Sequence, residues 1–311
     1  MSRAALFPGQ GSQFPGMGRE LAAAHPEARE MFERADGVLG FALSEILFEG
    51  SEEEVGRTDI CQPGIYLLSA ATMAVLDARR GFARSAFAAA AGLSLGEYTA
   101  LWFAGALDFE DGLRLTRTRG RAMQDASDAV PSGMSAVLGL DRDACEEVCA
   151  VARAEGPVVV ANLNSPGQVV ISGAKSALER AGTLALERGA RRILPLKVAG
   201  AFHSPVMEPA AVRLREALAK VEFRDAALPV YANCTAAPVR TAEEIRDALG
   251  RQITSPVLFQ ATLERMAADG VTEAVEPAPG RVLAGFAKKA APGISVIARD
   301  TAESLVGAEM A

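Results

Sequence analysis

The segment Gly92-Leu93-Ser94-Leu95-Gly96 constrains this chain more than any other. A Gly-x-Ser-x-Gly run between a short apolar stretch (Ala86 to Ala91) and a helix-forming one (Glu97 to Ala106) predicts a sharp strand-to-helix turn with the serine at its tip. Glycines suit the flanking positions because a Cβ there would crowd so tight a turn. The helix that follows turns its free N–H groups and positive dipole end toward any oxyanion formed at Ser94. The competing expectation is a Gly/Ser loop that merely caps a helix, so the surrounding sequence has to decide. The alanine run is a poor strand former, and only its length and flanking glycine favour a strand.

A serine hydroxyl that reacts near neutral pH needs a general base, most often imidazole. The sequence contains two histidines. His25, between two helical stretches and before Pro26, is expected on a surface connector. His203 lies downstream of Ser94 in Gly200-Ala201-Phe202-His203-Ser204-Pro205, the order found after an elbow serine. The base is therefore His203, or the site has no histidine base. Two histidines also leave no multi-histidine zinc site. None of the aspartates between Ser94 and His203 stands in a context that marks it as the histidine's partner.

Asp108 to Asp125 reads as a helix bearing Arg114, Arg117, Arg119 and Arg121. Three of these fit a solvated face. Arg119 shares a stripe with Leu115, Ala122 and Met123, so it either snorkels or meets an anion. Farther along, strands and helices between Ser135 and Val198 alternate in the order β-α-β-β-α-β, a ferredoxin-like unit set within a larger α/β domain. Residues 128–197 are assigned to this insert, and residues 1–127 and 198–311 to the domain around it. Helices are also expected from Pro26 to Leu39, from Gly64 to Arg79, from Thr241 to Gln252, from Pro256 to Asp269 and from Gly280 to Ala290. The last dozen residues read as a frayed tail.

A net charge of −7 gives no reason to expect nucleic acid or an anionic membrane as partner. No uncharged run reaches the roughly 18 residues of a membrane span, and no signal-like segment opens the chain, so a cytoplasmic protein is expected. The four cysteines match no disulfide framework, and Cys145 and Cys149 are expected as core thiols. From the residues alone the chain is a serine enzyme of acyl transfer or hydrolysis with an arginine able to bind an anion.

Taken together, Phe7-Pro8-Gly9-Gln10-Gly11-Ser12-Gln13, Gly92 to Tyr98, Arg119-Gly120, Asn162 to Gln168, Gly200 to Ser204 and Arg251-Gln252-Ile253 resemble the malonyl-CoA:acyl carrier protein transacylases nearly end to end. That resemblance implies an α/β-hydrolase-like core with a parallel sheet and an inserted ferredoxin-like subdomain. It implies transfer of malonyl from malonyl-CoA to the phosphopantetheine thiol of an acyl carrier protein through an ester on Ser94. It assigns His203 as base, the backbone N–H groups of Gln10 and Leu95 as oxyanion donors, and Arg119 as the malonyl carboxylate ligand. Gln62 and Met123 join Arg119 at the substrate, and Phe202 crowds a substituent at C2 of the acyl group. A backbone carbonyl at Gln252 orients the histidine. No metal or other cofactor is implied, and a monomer is expected.

Two positions depart from the family pattern: Leu93, where many members carry histidine, and Ala278-Pro279-Gly280, where Gly-Pro-Gly is usual. Leu93 and Gly-Ala-Phe-His are features shared with discrete acyltransferases that load polyketide synthases, so fatty-acid and polyketide roles both stand. Arg191, Arg192, Lys197, Lys288 and Lys289 are the basic candidates for docking an acidic carrier protein. The rival readings are an acyl hydrolase acting on carrier proteins and a non-catalytic docking module.

Overall fold

The computed structural model describes residues 2–299. Strand β1 (Ser2–Phe7) lies parallel to β2 (Ala89–Gly92) at the centre of a six-stranded sheet. The chain then leaves this sheet for a second one, built from β3 (Ser132–Leu138), β4 (Val158–Ser165), β5 (Gln168–Ala174) and β6 (Arg192–Pro195). It returns through β7 (Val230–Tyr231), β8 (Pro238–Val239), β9 (Val271–Pro277) and β10 (Ser295–Arg299). The large sheet runs β10-β9-β1-β2-β7-β8, parallel except for β8. The small sheet runs β4-β5-β3-β6 and is antiparallel throughout, with helices Arg142–Ala152 and Lys175–Glu187 in two of its three connections. This is the α/β-hydrolase-like core with a ferredoxin-like subdomain.

The alanine run forms a strand because of where it sits. All of β2 is buried between two parallel neighbours, and its residues alternate between two core layers. Ala90 packs into the same cluster as Ala5 and Phe7, while Ala89 and Ala91 join Ala4 and Leu6 on the other face. A central parallel strand has to be apolar on both faces, and tertiary burial here outweighs alanine's weak strand propensity. Register pairs Phe7 with Gly92, so the loops after β1 and β2 leave the sheet side by side at its carboxyl edge. Open α/β sheets place their ligands at that edge.

Several boundaries differ from the sequence expectation. The long buried helix starts at Thr58, not Gly64, so Pro63 lies inside it. Proline offers no N–H to the carbonyl four residues back, here that of Asp59. Arg117 donates to that carbonyl oxygen and, at 2.8 Å, to the Asp59 carboxylate, which removes the penalty. Arg117 is thus a structural ion-pair partner, not part of a solvated face.

The helix expected from Pro256 begins at Phe259, because Val257 pairs with β4 instead. Its N–H donates to Ala161 O at 2.8 Å, and its carbonyl accepts from Leu163 N at 2.9 Å, tying the small sheet to the core. Helix Leu43–Glu49 and strand β8 were not expected. Cys145 and Cys149 are buried, free thiols in the core of the small sheet. Thr58–Arg80 is long and apolar enough to cross a membrane, but it is buried within the protein. The tail expected after residue 299 lies outside the described residues.

Candidate active site

At the carboxyl end of β2 the backbone turns so sharply that Ser94 has φ 52°. A Cβ on Gly92 would lie 2.0 Å from Gly96 C, and one on Gly96 would lie 2.1 Å from Phe7 O. Only glycine fits either position. Asn233, just after β7, spans the turn: its Oδ1 accepts from Ser94 N at 2.6 Å and its Nδ2 donates to Gly92 O at 2.7 Å. Left-handed backbone at a residue with a side chain costs of order 1–3 kcal/mol and persists where its surroundings hold it. The Asn233 amide is such a holder.

His203 faces the serine from the segment after β6, itself at φ 56°. Its Nε2 is 2.7 Å from Ser94 Oγ, and its Nδ1 is 3.0 Å from the Gln252 carbonyl oxygen. A carbonyl can only accept, so Nδ1 carries the proton and Nε2 is left to accept from the serine hydroxyl. The orienting group that no aspartate supplied is therefore a main-chain carbonyl. Burial, followed by the nearby Arg119 charge, pulls the imidazole pKa down to about 4. His25 behaves differently from the surface connector expected: it is buried between helices Arg19–Ala24 and Pro26–Leu39 and does not reach Ser94.

Arg119 is 1% exposed, which settles its stripe as core-facing. Its Nη2 donates to Ser94 Oγ at 2.9 Å and to Gln252 Oε1 at 3.1 Å, and its Nη1 donates to Gln62 Oε1 at 2.8 Å. Its guanidinium carbon lies 5.7 Å from the centre of the Tyr98 ring. Each of these acceptors is neutral. A buried guanidinium held by amides and a hydroxyl, with its planar fork beside the nucleophile, is well placed to receive a ligand carboxylate. Arg114 and Arg121 on the same helix are exposed, as expected.

The space in front of Ser94 is a cavity of ≈ 110 Å³ lined on the core side by Gln10, Leu93, Met123, Phe202 and His203. Met134, Asn162 and Val170 of the small sheet close its other side. It shares Gln10, Leu196 and Val198 with a larger cleft of ≈ 850 Å³ that opens between the loop after β1 and the strand end after β6. Gln62 stands one layer behind, fully buried, linking Arg119 to the Gln10 side chain (3.3 Å) and to Met123 Sδ (3.4 Å). Among the described residues no acceptor takes the Gln10 or Leu95 N–H, whereas Gly96, Glu97 and Tyr98 donate within the turn. Lys197, on the cleft wall, pairs with Glu52 at 2.9 Å, and Arg191, Arg192, Lys288 and Lys289 are exposed. Among the described residues no three His, Cys, Asp or Glu side chains gather as a metal site.

Two residues at the site carry no sequence signal of the kind that found Ser94 and Arg119. Asn233 follows a two-residue strand, and Glu97 is hidden in the helix start, where an acid at the dipole's positive end looks ordinary. Glu97 is 1% exposed and accepts from Asn233 N at 3.1 Å and Gln252 Nε2 at 2.8 Å.

Comparison with known proteins agrees with this arrangement. The family model described as acyl transferase domain matches residues 5–301. A malonyl CoA-acyl carrier protein transacylase of Bacillus subtilis is 42% identical over 96% of this chain and 94% of its own length. The solved malonyl CoA-acyl carrier protein transacylase of Coxiella burnetii superposes with a TM-score of 0.94 at 34% identity, covering 98% of this chain and 96% of that one. A malonyl-transacylase solved in complex with its type II PKS acyl-carrier protein gives a TM-score of 0.92 at 39% identity, with 98% of each chain covered.

Proposed function

The chain belongs to the acyl transferase domain family, and we propose that it moves a malonyl group from malonyl-CoA to the phosphopantetheine thiol of an acyl carrier protein, in fatty-acid or polyketide synthesis. The observation that carries this reading is the convergence of two groups on one atom. Ser94 Oγ lies within hydrogen-bond reach of both a neutral histidine and a buried, carboxylate-free arginine. A hydrolase of uncharged acyl chains has no use for that arginine.

The reaction takes two steps. The Ser94 hydroxyl gives its proton to His203 Nε2 as Oγ attacks the thioester carbonyl carbon. The oxyanion is received by the N–H groups of Gln10 and Leu95, and loss of one such donor costs about 10²–10³ in turnover. Collapse breaks the C–S bond, the imidazolium returns its proton to the departing CoA sulfur, and the malonyl ester remains on Ser94. The carrier's thiol then gives its proton to His203, its sulfur attacks the ester, and the serine oxygen leaves with the proton. Arg119 holds the free carboxylate of the malonyl group as a bidentate pair, with Gln62 and Met123 behind it. Phe202, on the cavity wall, restricts bulk at C2.

Every group this chemistry uses is a side chain or amide of the chain, so no metal or prosthetic group is required. The protein is read as a cytoplasmic monomer whose partners are malonyl-CoA and an acidic carrier protein, with neither nucleic acid nor membrane.

The test is intact mass after incubation with malonyl-CoA alone, beside Ser94→Ala. The expected result is a malonyl adduct that requires Ser94 and discharges when carrier protein is added. Steady release of free malonate without an adduct would point to the hydrolase, and neither adduct nor turnover to a docking module.

A further inference from the structure

Ser94 and His203 are held by two amide residues, and both of those are held by one carboxylate. Asn233 fixes the Ser94 N–H and the Gly92 carbonyl through its side chain. Gln252 fixes His203 through its main-chain oxygen, the Ser94 carbonyl through Nε2 at 2.8 Å, and Arg119 through Oε1. The same Glu97 oxygen, Oε2, accepts from Asn233 N and from Gln252 Nε2.

The consequence for Gln252 is directional. An amide can present either its NH₂ or its oxygen to a neighbour, and the two faces are nearly equal in shape. A carboxylate only accepts, so Glu97, together with the Ser94 carbonyl, obliges Gln252 to turn its NH₂ inward. The Gln252 oxygen is thereby committed to Arg119. With the amide reversed, the NH₂ would face the guanidinium, donor against donor, and Arg119 would lose one of its fixed points.

We propose that Glu97 is a positioning residue for malonyl transfer, acting through the Gln252 amide to aim Arg119 and through Asn233 to hold the Ser94 turn. This rests on the acyl-transfer reading above. The Glu97 side chain touches neither the Ser94 hydroxyl nor the cavity; its hydrogen bonds run to these two amides, and its charge also acts on Arg119. Burial pushes its carboxyl pKa up to about 7, opposed by the bonds from Gln252 and Asn233. Protonated on Oε1, the carboxyl still accepts from both amides at Oε2.

The test separates the aim of Arg119 from the state of the serine. Each protein is measured twice: by its rate of malonyl loading from malonyl-CoA, and by labelling of Ser94 with an uncharged alkyl fluorophosphonate, which needs no carboxylate ligand. Glu97→Ala is expected to lower malonyl loading by about tenfold to a hundredfold, the scale of a small misplacement of a reacting group. Fluorophosphonate labelling is expected to fall much less. Glu97→Gln keeps an acceptor oxygen for both amides and is expected to restore most of the loading rate.

Equal loss of both activities in Glu97→Ala, or a Glu97→Gln protein no better than the alanine variant, would overturn the proposal. Should Glu97→Ala not fold, Gln252→Met decides the point. It keeps the main-chain carbonyl for His203 and removes the amide, so an unchanged ratio of loading to labelling in that variant overturns the proposal equally. A parent protein that labels at Ser94 but takes no malonyl group fails the transfer reading, not this one.

Discussion

Arg119 Nη2 lies 2.9 Å from Ser94 Oγ, so the candidate carboxylate ligand and the nucleophile are in direct contact before any substrate arrives. The donor takes a lone pair on the hydroxyl oxygen and leaves the hydroxyl hydrogen to His203. The positive charge also discourages protonation of the imidazole. One side chain thereby acts on Ser94 and His203 and is placed to receive the proposed substrate's carboxylate.

Arg119→Ala should depress malonyl loading by about 10²-fold or more, the range expected for losing a charge-assisted bidentate pair of roughly 3 kcal/mol. Acetyl loading, measured in parallel by intact mass, should fall far less. Equal losses would remove Arg119 from substrate selection. Arg119→Lys should recover little, because an ammonium cannot present the planar fork.

The depressed His203 pKa would set the acid limb of the proposed first half-reaction. The ordinary value is 6.5 and the folded value about 4, so the base is already neutral through the window between them. Loading measured from pH 8 down to 5 should therefore show no inflection near 6.5. The same shift has a sign for stability. The unfolded chain binds the His203 proton more readily, so this residue adds stability as pH rises from about 4 to 6.5 and holds it above that range. Glu97, raised from 4.5 to about 7, works the other way, its contribution fading as pH rises between those values. Thermal unfolding of His203→Ala and Glu97→Gln across pH 4 to 7.5 should tilt the parent profile in opposite directions.

Gly96→Ala should abolish soluble, folded protein. Its Cβ would meet backbone atoms at and just past the end of β1, namely Phe7 O at 2.1 Å and Pro8 O at 2.8 Å, and β1 cannot yield without breaking the sheet. A soluble Gly96→Ala protein with parental melting temperature would show that the turn relaxes where close packing denies it room.

Arg117→Ala should destabilise the protein by about 1–3 kcal/mol in urea unfolding, since it strands the Asp59 carbonyl that Pro63 already leaves without a helical donor. Pro63→Ala restores an N–H at that point. In that background the cost of Arg117→Ala should shrink, which a double-mutant cycle reads directly.

The parts of the site that sequence reasoning reached are those with a local signature. Ser94 sits in a spaced glycine motif, Arg119 breaks a solvated pattern by sharing an apolar stripe, and His203 stands out because histidine is scarce. The β-α-β-β-α-β order of the insert follows from the alternation of its segments. What escaped depends on neighbours distant in sequence. Asn233 acquires its role from the position of β7 beside β2, and Glu97 from two amides more than a hundred residues away. Pro63 reads as a helix start until Arg117, on another helix, supplies the missing partner. His25 looked exposed because it joins two helical stretches and proline follows. Its burial comes from how the two short helices around it pack.

Ser94 and His203 both occupy left-handed backbone, a conformation that each would abandon if its surroundings let go. Neither can be glycine if the proposed reaction is to use its side chain. The candidate catalytic pair is therefore a product of closure: its geometry exists only once β1, β2, β7 and the return from the small sheet have all locked together. During refolding, secondary structure and collapse can recover without it. Reactivity at Ser94 should be among the last properties to return, and so serves as a clock for the final step of assembly.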